Sequence, residues 1–198
     1  MKKAVFLDRD GVLNELVLNP VTGEYEPPHI PEDLVLYPYV FESLRSLLDA
    51  GFILFLISNQ PDYAKGKTTL ESLKAVHAKL DDIFKSAGIR FTEYYYCYHH
   101  PNGIVPEYSF PCDCRKPKPY FLQKAVRDHD VDLKNSWMIG DRDSDIECGK
   151  SAKTHTIIIE EPHSSGSRGS SIPDFTSANL KDAVKIILDN QIRMSFRN

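Results

Sequence analysis

Two apolar runs in this chain end abruptly in acid. Phe6-Leu7 leads into Asp8-Arg9-Asp10-Gly11, and much later Trp137-Met138-Ile139 leads into Gly140-Asp141-Arg142-Asp143-Ser144-Asp145. Carboxylates just past buried strands add little stability, whereas in an open α/β sheet the ligand site lies outside the carboxyl ends of the strands. Two such ends can gather Asp8, Asp10, Asp141 and Asp145 around one hard cation, which takes oxygen ligands. The expectation is a metal-dependent enzyme.

Around these junctions, apolar runs alternate with helical periodicity, the pattern of βαβ units. The runs predict strands near 4–8, 52–58, 92–97, 135–140 and 154–160, with helices near 38–50, 68–87, 119–130, 143–151 and 179–190. The second helix is the clearest: Leu70, Leu73, Val76, Leu80, Ile83 and Phe84 recur at helical spacing behind a capping Thr68 or Thr69. The fold class is α/β, a doubly wound parallel sheet, and the 198 residues suffice for one domain spanning 1–198. Irregular segments interrupt the pattern. Residues 15–37, rich in Pro and acidic side chains, read as a flap beside the first strand; 97–118 mix His, Cys, Pro and Gly; 161–174 are Ser- and Gly-rich and expected to be mobile. No domain-sized insertion follows the first strand or Ser58-Asn59, so no large cap is expected.

A net charge of -4, with 26% charged residues and no basic stripe, argues against a nucleic-acid partner. No apolar run approaches the roughly 20 residues of a membrane span. Ala4-Val5-Phe6-Leu7 is too short for a signal-peptide core. These features predict a cytoplasmic monomer acting on a small molecule, with no membrane partner.

The cysteines give a second constellation. Cys97-x-His99 and Cys112-x-Cys114 offer three thiolates and one imidazole, the donor set of a closed, structural zinc site. His100 is a possible substitute ligand, and Cys112 and Cys114 are too close in sequence for an easy mutual disulfide. Zinc would fix Arg115 and Lys116, which follow directly. Cys148 reads as a packed core thiol. His29, His77, His129, His155 and His163 read as surface or packing residues.

Phosphoryl transfer through a carboxylate requires a nucleophile, an acid for the leaving oxygen, a cation, and donors for the transferred oxygens. Asp8 and Asp10 supply the carboxylates, and Gly11 allows the chain to bend there. Ser58 offers a hydroxyl at the end of Ile53-Leu54-Phe55-Leu56-Ile57, and Lys116 a fixed cation. Asp143 could cap the helix that begins there, and Asp145 has a competing role, orienting Lys116 rather than touching the metal.

Taken in order, Asp8-Arg9-Asp10-Gly11-Val12-Leu13, Ser58-Asn59, Lys116 and Gly140-Asp141-x-x-x-Asp145 resemble the four motifs of the haloacid dehalogenase superfamily of phosphatases. The resemblance implies a Rossmann-like fold and an Asp8 nucleophile that forms an aspartyl-phosphate. It implies Asp10 as acid and base, with Ser58 and Lys116 on the phosphoryl oxygens. Mg2+ would be held by Asp8, the Asp10 carbonyl and Asp141. The cysteine loop followed by Cys114-Arg115-Lys116-Pro117 is similar to two families, the D-glycero-D-manno-heptose-1,7-bisphosphate 7-phosphatases and the histidinol-phosphate phosphatases. The long span to Cys112 and Lys65-Gly66-Lys67 resemble the first more closely.

Candidate substrate-binding residues are Asn59, Gln60, Lys65, Arg115 and Arg142, with Arg115 suited to a distal phosphate. Tyr25 is the nearest flap candidate, and Asp62 or Glu15 could serve an ammonium. Pro61-Asp62-Tyr63 stands where the heptose family usually has Ser-Gly, so the substrate stays open between a heptose phosphate of either anomer and another small phosphate ester.

Overall fold

The computed structural model describes residues 1–195. In chain order the strands are β1 (Ala4–Leu7), β2 (Val17–Leu18), β3 (Tyr25–Glu26), β4 (Ile53–Asn59), β5 (Glu93–Cys97), β6 (Trp137–Gly140), β7 (His155–Ile159) and β8 (Phe175–Ser177). The helices are α1 (Val40–Asp49), α2 (Leu70–Ser86), α3 (Tyr120–His129), α4 (Asp143–Ala152) and α5 (Leu180–Ser195). Six strands form one parallel sheet in the order β5-β4-β1-β6-β7-β8. Its central strand is β1, all of whose residues are buried.

Burial on both faces follows from the pleat, which sends successive side chains to opposite sides. Val5 and Leu7, with Leu54, Leu56 and Ile139, meet α1, α2 and α5 through Leu44, Leu80 and Ile187. Ala4 and Phe6, with Phe55, Ile57 and Met138, meet α3 and α4 through Leu122, Ala125 and Cys148. The Phe6 and Phe55 rings stack across the β1–β4 pair with centroids 5.0 Å apart. Truncating either ring to Ala would cost about 3–5 kcal/mol, a large part of a domain's stability.

The predicted strands and helices all form, with ends moved by a few residues. Thr69, not Thr68, caps α2: its hydroxyl accepts from Ser72 N at 3.1 Å. At α4 the N-cap position is Arg142 rather than Asp143, and Asp145 in the first turn reaches back so that its Oδ2 accepts from Arg142 N at 3.1 Å. Asp143 instead accepts from the backbone amides of Gly169, Ser170 and Ser171.

Two features lacked a legible pattern. The 15–37 segment contains the β2–β3 hairpin, with Val17 opposite Glu26 and Leu18 opposite Tyr25. The strand β8 is too short to show a period and pairs in parallel with the edge of β7. Among the described residues no domain-sized insertion follows β1 or β4. No helix of the described residues is long and apolar enough to cross a membrane.

Candidate active site

From β1 the chain moves to β4 and β5 on one side of the sheet, then returns to β6 on the other. The crevice of the site opens where the strand order reverses, at the carboxyl ends of β1 and β6. Asp8 N donates to Ile139 O at 2.9 Å, so the loops bearing Asp8 and Asp141 leave the sheet side by side. Gly11 lets them stay close. Its φ is +79°, and a Cβ there would stand 2.6 Å from Asp141 Oδ2.

Lys116 is almost fully buried beneath these acids. Its Nζ lies 2.9 Å from Asp8 Oδ1 and 2.6 Å from Asp145 Oδ1, and donates to Ile57 O at 2.9 Å. Asp145 therefore does orient Lys116, while one of its oxygens also lies within 4.8 Å of oxygens of Asp8 and Asp141. Asp10 is held by four donors: Arg9 Nε at 2.9 Å and Nη2 at 3.1 Å, Asn14 Nδ2 at 3.0 Å, and Gln60 Nε2 at 2.6 Å. Gln60 Nε2 also donates to Ser58 Oγ at 2.9 Å.

Two expected substrate contacts are thus committed elsewhere. Gln60 is 1% exposed and bridges Asp10 to Ser58 from behind. Asn59 borders the crevice but clamps the Lys116 backbone: its Oδ1 accepts from Lys116 N and its Nδ2 donates to Lys116 O, both at 3.1 Å.

Burial dominates the electrostatics. It pushes the Asp8 carboxyl up to about 6, against the pull of Lys116. It pushes Asp141 up to about 8, with Asp8 and Asp145 adding repulsion. For Lys116, burial disfavours the ammonium, but Asp145 and Asp8 outweigh it and hold the group protonated. Asp141 is 0% exposed and its Oδ1 has no hydrogen-bond partner. An orphaned carboxylate oxygen beside two further buried carboxylates suits a hard divalent cation, so the residues fit Mg2+.

A cavity of about 250 Å³ opens over Asp8 and Asp10. Lys65, Arg115 and Arg142 line it, as expected, and Tyr25 and Glu26 enter from the flap. Lys67 also lines it but pairs with Glu26. Asp62 lines it and pairs with flap residue His29 at 2.9 Å. Read from sequence as surface or packing residues, His29 and His163 instead fasten the flap: the Tyr25 and His163 rings stack with centroids 3.5 Å apart. A hollow of about 620 Å³ lies at the opposite end of the sheet, lined by Phe52, Trp137 and Leu188 and lacking any carboxylate.

The cysteine loop closes as the spacing predicts. Cys97 Sγ and Cys112 Sγ are 3.5 Å apart, Cys112 and Cys114 3.4 Å, and His99 Nδ1 lies 3.5 Å from Cys114 Sγ and 3.8 Å from Cys97 Sγ. Tetrahedral bonds of about 2.3 Å to sulfur place ligand atoms roughly 3.5–3.8 Å apart, so this cluster could hold zinc. Hydrogen bonding between Cys97 and Cys114 keeps the proton on Cys97 and draws the Cys114 thiol down to about 5. His100 stands outside the cluster and its Nδ1 accepts from Asn102 N. Cys148 is buried on α4, where burial pushes its thiol up to about 12.

Some contributors had little or no signal in the sequence. Arg9 sits inside the first motif, yet nothing local shows that its buried guanidinium turns back on Asp10. Ser164 lies in the Ser/Gly-rich segment and donates to Asp141 Oδ2. That segment forms a 3-10 turn, Pro162–Ser167, followed by Arg168, whose Nη1 donates to the Asp141 and Glu161 carbonyls.

Comparison with known proteins agrees with this geometry. A HAD-hydrolase-like family model matches residues 113–183. The chain is 35% identical over 158 residues to the D-glycero-beta-D-manno-heptose-1,7-bisphosphate 7-phosphatase of Vibrio cholerae, covering 80% of this chain and 81% of the relative. It is 33% identical over 150 residues to the D-glycero-alpha-D-manno-heptose-1,7-bisphosphate 7-phosphatase of Photorhabdus laumondii, covering 76% and 78%. In fold it is similar to the D,D-heptose 1,7-bisphosphate phosphatase of B. bronchiseptica, solved with magnesium and phosphate. The TM-score is 0.77 at 22% identity, over 95% of this chain and 99% of the other. With the motifs, crevice and relatives in agreement, the chain belongs to the D-glycero-D-manno-heptose-1,7-bisphosphate 7-phosphatase family of the haloacid dehalogenase superfamily and is a phosphoric monoester hydrolase.

Proposed function

We propose that the chain is a Mg2+-dependent phosphatase that removes the 7-phosphate of a D-glycero-D-manno-heptose 1,7-bisphosphate through an aspartyl-phosphate on Asp8. The observation carrying this reading is the sharing of one crevice. Asp8 and Lys116 form its floor, with Asp145 buried behind Lys116, while Arg115, Arg142 and Lys65 line it for a second anion.

The Arg9 amide and Lys116 Nζ both engage Asp8 Oδ1, leaving Oδ2 to attack phosphorus. As that O–P bond forms, the bond to the sugar oxygen breaks and Asp10 gives the oxygen a proton. Water then attacks the phosphorus, Asp10 takes its proton, and inorganic phosphate leaves with the Asp8 carboxylate restored. Lys116 and Ser58 hold phosphoryl oxygens. When bound, Mg2+ masks the phosphoryl charge, held by Asp8, the Asp10 carbonyl and Asp141. Zinc, held by Cys97, His99, Cys112 and Cys114, would fix the chain that carries Arg115 and Lys116.

Arg115 supports the bisphosphate reading because its guanidinium can fork a distal phosphate. A histidinol-type ammonium substrate is less well supported, since Asp62 is paired to His29 and Glu15 does not line the cavity. Relatives named for both anomers leave the anomer to experiment.

The test is phosphate release with Mg2+ from both heptose bisphosphate anomers, histidinol phosphate and a hexose monophosphate. Preference for a heptose bisphosphate, abolished by Asp8→Asn, supports the assignment. Preference for histidinol phosphate would overturn the substrate, and residual wild-type turnover in Asp8→Asn would overturn the mechanism.

A further inference from the structure

Outside the four motifs, one side chain reaches the cation cluster from a segment that sequence marks only as Ser/Gly-rich. Ser164, in the turn after β7, is 2% exposed and donates its hydroxyl to Asp141 Oδ2. The turn is built to hold it there. Ser164 N donates to Glu161 Oε2 at 2.8 Å, and Glu161 is itself buried. Arg168 Nη1 donates to Glu161 O at 2.7 Å and to Asp141 O at 3.3 Å, tying the far end of the turn to the backbone of Asp141.

The other side of the Asp141 carboxylate is Gly11, where a Cβ would stand 2.6 Å from Oδ2. Oδ2 is therefore held between Gly11 and the Ser164 hydroxyl. The opposite oxygen, Oδ1, is buried and without a partner. A carboxylate with one oxygen tied and the other bare is arranged to bind a cation through a single oxygen, and outer hydrogen bonds of this kind set ligand direction and affinity.

We propose that Ser164 is a positioning residue of the cation site, which holds Asp141 so that Oδ1 faces Mg2+. This rests on the cation reading given above. Ser164 touches no reacting atom, so its removal should weaken metal binding and leave the chemistry of the loaded site intact.

The experiment is calorimetric titration of Mg2+ into the full-length wild type and the Ser164→Ala, Ser165→Ala and Asp141→Asn variants, paired with Mg2+-dependence of turnover. Ser165 is exposed on the same turn and serves as the control. Ser164→Ala should weaken Mg2+ roughly 10–100-fold, the range for lost outer-sphere partners. The apparent KM for Mg2+ should rise in step, and kcat at saturating Mg2+ should stay near wild type. Ser165→Ala should bind as wild type.

A folded Ser164→Ala protein with wild-type Mg2+ affinity would overturn the proposal, even if its metal-free melting temperature fell, because that result describes a structural serine. Loss of kcat at saturating Mg2+ with affinity intact would overturn it too. Wild type binding Mg2+ no better than Asp141→Asn would remove the cation reading itself, and this proposal with it.

Discussion

Mg2+ binding to this protein should depend steeply on pH, because the acids that receive it hold protons well above the ordinary carboxylate range. Burial raises Asp141 to about 8 and Asp8 to about 6. The cation needs both deprotonated, so protons compete with it. From those values, competition weakens Mg2+ about twofold at pH 8, about tenfold at pH 7 and roughly 200-fold at pH 6.

The apparent affinity should thus fall about 100-fold from pH 8 to pH 6, and binding at pH 7 should release about one proton. Calorimetry in buffers of different ionisation enthalpy counts that proton directly. Both carboxyls are raised above their unfolded values, so the metal-free native state binds more protons than the unfolded chain between about pH 4 and pH 8. Metal-free stability should decline as pH rises through that window.

At a fixed Mg2+ concentration saturating at both pH values, the metal's stabilisation should grow by about 2.7 kcal/mol from pH 6 to pH 8, or roughly 5–10 °C in Tm. A flat affinity over this range, with no proton released, would refute the claim that buried protonated carboxyls receive the ion.

Other perturbations probe the rest of the site. Asn59→Ala removes two hydrogen bonds to the Lys116 backbone. At about 1 kcal/mol each, that should lower kcat roughly 10–100-fold with little change in KM, measured by steady-state kinetics. Cys112→Ser should abolish stoichiometric zinc by atomic absorption and lower Tm by at least about 5 °C, since loss of a structural metal costs several kcal/mol. Gly11→Ala should cost about 1–2 kcal/mol in backbone strain at φ +79°. It should also weaken Mg2+, because the new methyl must displace the Asp141 carboxylate.

The site was legible from sequence wherever a residue's role follows from its position at the end of a strand. Asp8, Ser58 and Asp141 end or follow β1, β4 and β6, and the switch in strand order joins those ends. The zinc-type cluster was legible because cysteine and histidine are scarce and their donor spacing is restrictive. Side chains that serve other side chains were not. Asn59 and Gln60 look like substrate contacts beside Ser58, yet one clamps Lys116 and the other joins Asp10 to Ser58. Lys116 lies 57 residues from Asn59 and Asp10 lies 50 from Gln60, and a polar residue carries no mark of the partner that folding brings to it.

The sequence by itself determined the parallel α/β sheet and the order of its main elements, because hydrophobic period is a local property that each segment carries alone. It also determined the chemistry on offer: paired acids, one lysine, and a thiolate–imidazole set. Only the tertiary structure decided how those groups are supported. It turned the 15–37 segment into a hairpin fastened by His29–Asp62, Lys67–Glu26 and the Tyr25–His163 stack. It also brought Ser164 onto Asp141 across 23 residues of chain. The physical reason is that such contacts join segments far apart in the chain, so no local pattern carries them, and at Ser164–Asp141 burial makes an unpaired polar atom costly only once those segments have packed together.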